Sequence, residues 1–292
     1  MQRSANLQGA LLMMGSMTAF TVNDTFLKLL SVDLPFFQIL FLRSVGVVAL
    51  MGVLAHRAGV LRFRLSGPDK KLIALRSVAE VGAAWFFISA LFHLPIANVT
   101  AIIQALPLTV TLGAALVLRE PVGWRRLAAI AVGFVGVWLI VRPGTDSFDI
   151  YSLYAVAAVA CVTVRDLCAR RVSSDVASLT IAFITGLAVL AFSAAGAAVI
   201  EWKPVSNGNW AFLACSIIAI LGGYLFSVSA MRVGEVGFVA QFRYTSLLVA
   251  LVLGLTVFGD WPSDLTLLGA AIVVASGLFT LWREREVRKE DA

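Results

Sequence analysis

Arg43 and Glu80 lie deep inside long apolar runs, each about 13 Å from the start of its run at 1.5 Å per residue. An ionisable group at that depth costs several kcal/mol unless it faces a cavity or a partner, so both mark a candidate site. Arg43 offers a planar fork for a carboxylate, phosphate or carbonyl. Glu80 offers a charge for a cationic group, or a proton carrier if desolvation raises its pKa. An internal salt bridge is the competing reading, because Arg76 stands four residues before Glu80 on the same helical face.

Other polar residues share this setting. Asp24 and Lys28 repeat the four-residue spacing in the first run, beside Asn23, and could form an outer gate or ion-pair latch. Lys28 is also close enough to the run's end to snorkel. Arg165 and Asp166 lie inside the sixth run near its end, with Arg170 one turn below Asp166, and suit a helix-anchoring network or direct substrate contact. Gln104 in the fourth run and Gln241, Arg243 and Tyr244 in the ninth are cavity candidates. Gln104, Leu108 and Thr111 share one face that fits a substrate path or interhelical hydrogen bonds. Trp85, Phe86, Phe87, Tyr224 and Phe226 offer stacking surfaces, or simply lipid contact.

The elements that position these groups follow from composition. Of 292 residues, 60% are hydrophobic and 14% charged, and the mean hydropathy is +0.92. A soluble fold could not hide that much apolar surface, whereas runs near twenty residues match a hydrocarbon core of ~30 Å. Ten spans are predicted at 7–30, 34–55, 72–92, 96–118, 127–141, 151–169, 177–200, 210–231, 237–258 and 265–281. Pro107 would kink the fourth.

The net charge of +6 does not point to nucleic acid, because the basic residues fall between the runs. Arg57, Arg62, Arg64, Lys70, Lys71, Arg119, Arg125, Arg126, Arg170, Arg171 and Arg232 load one set of connections. The other holds mainly Arg142 and Lys203. Arg3 and the tail residues Arg283, Arg285, Arg288 and Lys289 belong with the first set, which places both termini in the cytoplasm of a bacterial-type inner membrane.

An even count divides into oppositely oriented halves, 1–145 and 146–292, the inverted arrangement of many secondary transporters. Setting Glu120 against Asp260 brings Ala129 opposite Gly269 and Gly136 opposite Ser276, so small residues recur where helices would pack closely. Leu247 stands opposite Pro107. Cys161, Cys168 and Cys215 form no C-x-x-C pair, His56 and His93 are assigned to opposite sides, and no G-K-[ST], G-x-S-x-G or H-E-x-x-H motif appears. No cofactor, metal site or catalytic residue is therefore expected, and the chain is not itself an ATP-driven pump.

The stretch from Pro95 to Pro143, with Pro107-Leu108, Glu120-Pro121 and the glycines before Arg142-Pro143, resembles the EamA repeat of the drug/metabolite transporter superfamily. Its counterpart ends in Phe258-Gly259-Asp260. The resemblance implies an all-α, ten-span, two-repeat transporter around a central cavity, with a small-molecule substrate. Proton coupling and a homodimer are both compatible with it. Asn23-Asp24, Lys28, Arg43, Asp166 and Tyr244-Thr245-Ser246 are similar to patterns in uptake branches that handle S-adenosylmethionine or riboflavin. Amino-acid or drug efflux and an intramembrane enzyme are the alternatives.

Overall fold

A computed structural model describes residues 2–59, 66–120, 122–145, 148–173 and 176–290. Arg62, Arg64 and Pro121 lie outside the described residues, as do the side chains of Arg3, Arg285, Arg288 and Lys289. The protein is all-helical: α1 (Gln2–Leu30), α2 (Phe36–Arg57), α3 (Gly67–His93), α4 (Ile96–Ile103), α5 (Leu106–Val117), α6 (Trp124–Val141), α7 (Ile150–Arg171), α8 (Ser178–Ala197), α9 (Asn207–Val233), α10 (Val236–Val239), α11 (Thr245–Leu253) and α12 (Asp264–Glu290).

Helices α4 and α5 make the fourth span. The ninth runs from α10 through a 3₁₀ turn (Ala240–Tyr244) and α11 to a π turn (Gly254–Phe258). Among the described residues, nine spans are long and apolar enough to cross a membrane. Helix α1 is the tenth; Asn23, Asp24 and Lys28 make it more polar, and it packs along α9.

Packing displays the inverted pairing. The main contacts join α1 to α9, α3 to α7, α2 to α8 and α6 to α12, with α4 against α11. Numbered as spans, these are 1 with 8, 6 with 3, 2 with 7, 5 with 10 and 4 with 9. Exchanging each span for its counterpart five places on swaps the first two pairs and returns the other three to themselves, as a two-fold axis in the membrane plane requires. The register is a shift of 140 residues: α3 and α9 correspond at both ends, and the left-handed backbone at Arg119 (φ 58°) recurs at Gly259 (φ 69°).

Both spans of the central pair are broken at this register. In the first, Pro107 has no N–H for the carbonyl one turn before it, and α4 ends at Ile103. The second has no proline, yet it narrows to a 3₁₀ turn ending at Tyr244. There the Arg243 carbonyl accepts from Ser246 Oγ (3.0 Å) and from Gln104 Nε2 (3.4 Å). Side chains thus replace the regular ladder, a condition for irregular backbone at membrane depth.

Polar contacts fasten the ends. Fully buried Gln38 donates from Nε2 to the Lys203 carbonyl (2.7 Å) and accepts at Oε1 from the Lys203 N–H (2.9 Å). Gln38→Met should fill the space and still destabilise by about 1–3 kcal/mol, because two hydrogen bonds to the Lys203 backbone, each worth about 0.5–1.5 kcal/mol, are lost. Thermal unfolding in detergent checks this; a midpoint equal to that of the unsubstituted chain would show that packing alone holds this loop. Trp124, Trp202, Trp210 and Trp261 are exposed near span ends, where an interfacial aromatic belt belongs.

Candidate functional site

Charged side chains from five spans converge in the interior. Arg43 projects from α2 about 10 Å from its first residue, within electrostatic reach of Asp24 on α1 and Glu80 on α3. Glu80 lies halfway along α3, thirteen residues from either end. From the opposite end of the bundle, Arg165 of α7 pairs with Glu80 (3.4 Å) and with its neighbour Asp166 (2.9 Å). Arg76 donates to the Arg165 carbonyl (3.0 Å), and Arg243 approaches Asp166 and Arg165. Glu80 thus links an Asp24–Arg43 level to an Arg76–Arg165–Asp166–Arg243 level.

Four guanidiniums face three carboxylates in this ladder, leaving one positive charge in excess. All seven side chains are only partly buried although they sit within spans. Their mutual approach from different helices gives each charge partners that lipid would not provide. Arg43 Nε and Arg76 Nε are buried without a hydrogen-bond partner. Such an orphan donor is costly unless a ligand or water satisfies it.

Several expected pairings differ. Asp24 and Lys28 do not bond to each other. Asp24 accepts from Asn23 Nδ2 (2.9 Å), whereas Lys28 Nζ donates to the carbonyls of Leu91 (3.0 Å) and Leu94 (2.5 Å), and sits 5.6 Å from the Phe258 ring centre. The free carbonyls at the end of α3 attract the ammonium more directly than a carboxylate one turn back on its own helix. Arg43 and Glu80 are electrostatic neighbours without a direct ion pair, and Arg165 rather than Arg76 is Glu80's ion-pair partner. Arg170 turns from Asp166 to Glu120 (3.6 Å).

Gln104 donates to Ser246 Oγ (2.9 Å), joining the two broken spans. Tyr244 is buried with its hydroxyl unpartnered, packed on Gly277, where any side chain would collide with it. It therefore points toward α12. Trp85 is engaged by Phe36, Phe37 and Phe192, so its ring surface is largely taken up by protein. Two apolar grooves, of about 370 and 300 Å³, are lined by residues such as Ala101, Leu247 and Ala270 in one and Leu112, Val137 and Val159 in the other. None of the seven ladder residues lines either groove, and the polar side chains that do are Thr266 in one and Thr109 and Thr163 in the other.

Asp69 and Asn209 escaped the sequence reading, although they make polar contacts at opposite ends of the bundle. The available signal was Ser-x-x-Asp at 66–69 and Ser-x-x-Asn at 206–209, each a helix-start pattern.

An inverted pair of five-span halves with an internal charge ladder is a transporter architecture, and comparison with known proteins decides the family. The EamA-like transporter family matches residues 7–142 and again 149–282. The chain belongs to the EamA-like transporter family. It is a multi-pass membrane transporter, not an enzyme.

This EamA-like transporter is 30% identical to a riboflavin transporter of Vibrio cholerae over 217 residues, 73% of this chain and 72% of the relative. It is 23% identical to an S-adenosylmethionine uptake transporter of Rickettsia prowazekii over 275 residues, 93% and 91% of the two chains. A pseudopaline exporter of Pseudomonas aeruginosa is 28% identical over 282 residues, 92% of this chain and 94% of its own. A solved crystal structure superposes with a TM-score of 0.61 at 20% identity, covering 96% of this chain and 98% of its own, a likeness of fold.

Proposed function

We propose that this EamA-like transporter takes up a small metabolite with an acceptor-rich polar edge, riboflavin first and S-adenosylmethionine second, across a bacterial-type inner membrane. The halves 1–145 and 146–292 alternate access to the interior, with both termini in the cytoplasm. The observation that carries the reading is Arg43: its guanidinium lies inside the bundle beside Asp24 and Glu80, with a buried N–H that no protein acceptor meets. Carbonyl oxygens on a heterocycle, or a carboxylate, would complete that fork. The similarity to riboflavin and S-adenosylmethionine transporters supports the ranking.

The excess positive charge and the similarity to a pseudopaline exporter favour a second reading, efflux of a carboxylated amino-acid derivative or drug. Proteoliposomes separate the two. Uptake of labelled riboflavin is expected, with competition by unlabelled riboflavin above S-adenosylmethionine and well above mixed amino acids. Arg43→Ala should lower flux about tenfold or more, the loss of one charge-assisted contact of ~1.5–3 kcal/mol. Carriage of amino acids alone would overturn the heteroaromatic assignment. Full flux and affinity in Arg43→Ala would remove Arg43 from recognition.

A further inference from the structure

The first turns of α3 and α9 are built alike. Ser66 Oγ accepts from the Asp69 N–H (3.2 Å), and Ser206 Oγ accepts from the Asn209 N–H (3.2 Å), so each helix starts on a serine cap. In each case the residue three places after the cap also reaches a second helix. Asp69 accepts from the Ser173 N–H (3.1 Å) and hydroxyl (2.9 Å), and from the Ser66 hydroxyl (2.6 Å). Asn209 Nδ2 donates to Asp33 Oδ2 (3.0 Å).

Ser66 and Ser206, Asp69 and Asn209, and Asp33 and Ser173 all differ by the 140 positions that relate α3 to α9. The two contacts are therefore equivalent under the repeat. They lie at opposite ends of the bundle, because α2, about 33 Å long, separates the connection holding Asp33 from the one leading to Ser66. Asp69 and Asn209 are buried, at 6% and 4% exposure, while Asp33 and Ser173 are exposed at the ends of spans 1 and 6. One contact ties α3 to the end of α7 and the other ties α9 to the end of α1, the two seams that the two-fold exchanges.

We propose that Ser173–Asp69 and Asn209–Asp33 are matched gate latches, one at each membrane face, whose alternate release sets the side to which this transporter opens. The inference rests on the alternating-access reading above, and its test needs no substrate. Inverted halves that exchange conformations also exchange equivalent contacts, so a latch made at one face in one open state is broken there in the other. Both are made in this structure, which corresponds to a state latched at both faces. They are unequal in strength. Ser173 gives Asp69 two bonds across its seam, whereas Asp33 receives one from Asn209, so the Asp33 face is the first to open.

Hydrogen exchange of the full chain in lipid nanodiscs, read by mass spectrometry, tests this directly. In the unsubstituted protein, amides of 31–34 and 207–210 should exchange faster than those of 67–70 and 171–173. Asn209→Asp sets two carboxylates face to face. It should raise exchange at its own face about tenfold, the scale of one hydrogen bond to a charged group, and lower it at the Asp69 face. Asp33→Asn in the same chain restores one donor and one acceptor and should return both faces to their starting rates. Asp69→Ala should produce the mirror image, with faster exchange at 67–70 and slower exchange at 31–34. If each substitution speeds only its own face and leaves the distant one unchanged, the contacts are helix caps alone and the gate assignment is overturned. The same conclusion follows if the Asn209→Asp and Asp33→Asn pair fails to recover both faces.

Discussion

Arg165→Ala is expected to be the most damaging single substitution in the charge ladder, lowering both the unfolding temperature and transport. Arg165 bonds Glu80 at 3.4 Å and Asp166 at 2.9 Å, and its carbonyl receives Arg76. Removing it strips two carboxylates of their closest countercharge inside the bundle. A sealed ion pair broken in this way costs ~3–5 kcal/mol. Here about a quarter of each side chain remains accessible (27% for both Arg165 and Glu80), so solvent screening lowers the expected loss to about 1–3 kcal/mol.

Arg165→Lys should recover only part of this, because an ammonium lacks the fork that serves both acids at once. The discriminating measurement is a double substitution. Glu80→Gln added to Arg165→Ala removes one stranded charge and should raise the midpoint above that of Arg165→Ala alone, a coupling that independent sites do not show. Thermal unfolding in detergent at low and high salt reads it. A midpoint for Arg165→Ala equal to that of the unsubstituted chain would show that the ladder does not contribute to stability.

Glu80 also shows where sequence reading stops. Arg76, four residues away on α3, was the evident partner by spacing, yet the ion pair comes from Arg165, 85 positions along the chain. Helical spacing says which residues share a face, but not which face of another helix meets it. Lys28 illustrates the same limit, since the carbonyls it reaches at Leu91 and Leu94 belong to a helix end that only tertiary packing brings near. The spans themselves were legible because a bilayer imposes length and apolarity on each run.

The repeat register was legible from Glu120 and Asp260, and the shared left-handed turn at Arg119 and Gly259 accords with it. The break at Tyr244 was not, because no proline announces it. The Arg243 carbonyl beside it is satisfied by Gln104 from the other half, a contact with no local signature. The Ser-x-x-Asp and Ser-x-x-Asn starts were readable as caps, but only the fold shows that their last residues, Asp69 and Asn209, reach across to the ends of α7 and α1.

Gly269→Val should separate α6 from α12 and destabilise the protein more than any other substitution considered for the packing. The two helices meet backbone to backbone. A Cβ at Gly269 would stand 2.6 Å from the Gly136 carbonyl oxygen and 2.8 Å from Ile140 Cγ1, and a Cβ at Gly136 would stand 2.7 Å from the Gly269 carbonyl oxygen. A backbone oxygen cannot swing aside as a flexible side chain can, so the helices must move apart. Within a bilayer, where lipid tails are as apolar as leucine, close packing is a principal force joining such helices. Widening this seam therefore removes cohesion that burial does not replace. Overpacking in well-packed cores costs about 1–3 kcal/mol, and a branched side chain against fixed backbone belongs at the upper end. Gly222→Ala provides the contrast: a Cβ there meets nothing within 4 Å, inside α9. It should be neutral or stabilising by up to ~1 kcal/mol, the ordinary helix preference for alanine over glycine. Thermal unfolding of both variants in the same detergent makes the comparison. Equal midpoints for Gly269→Val and Gly222→Ala would mean that the α6–α12 seam yields without cost and that close backbone approach does not hold the two halves together there.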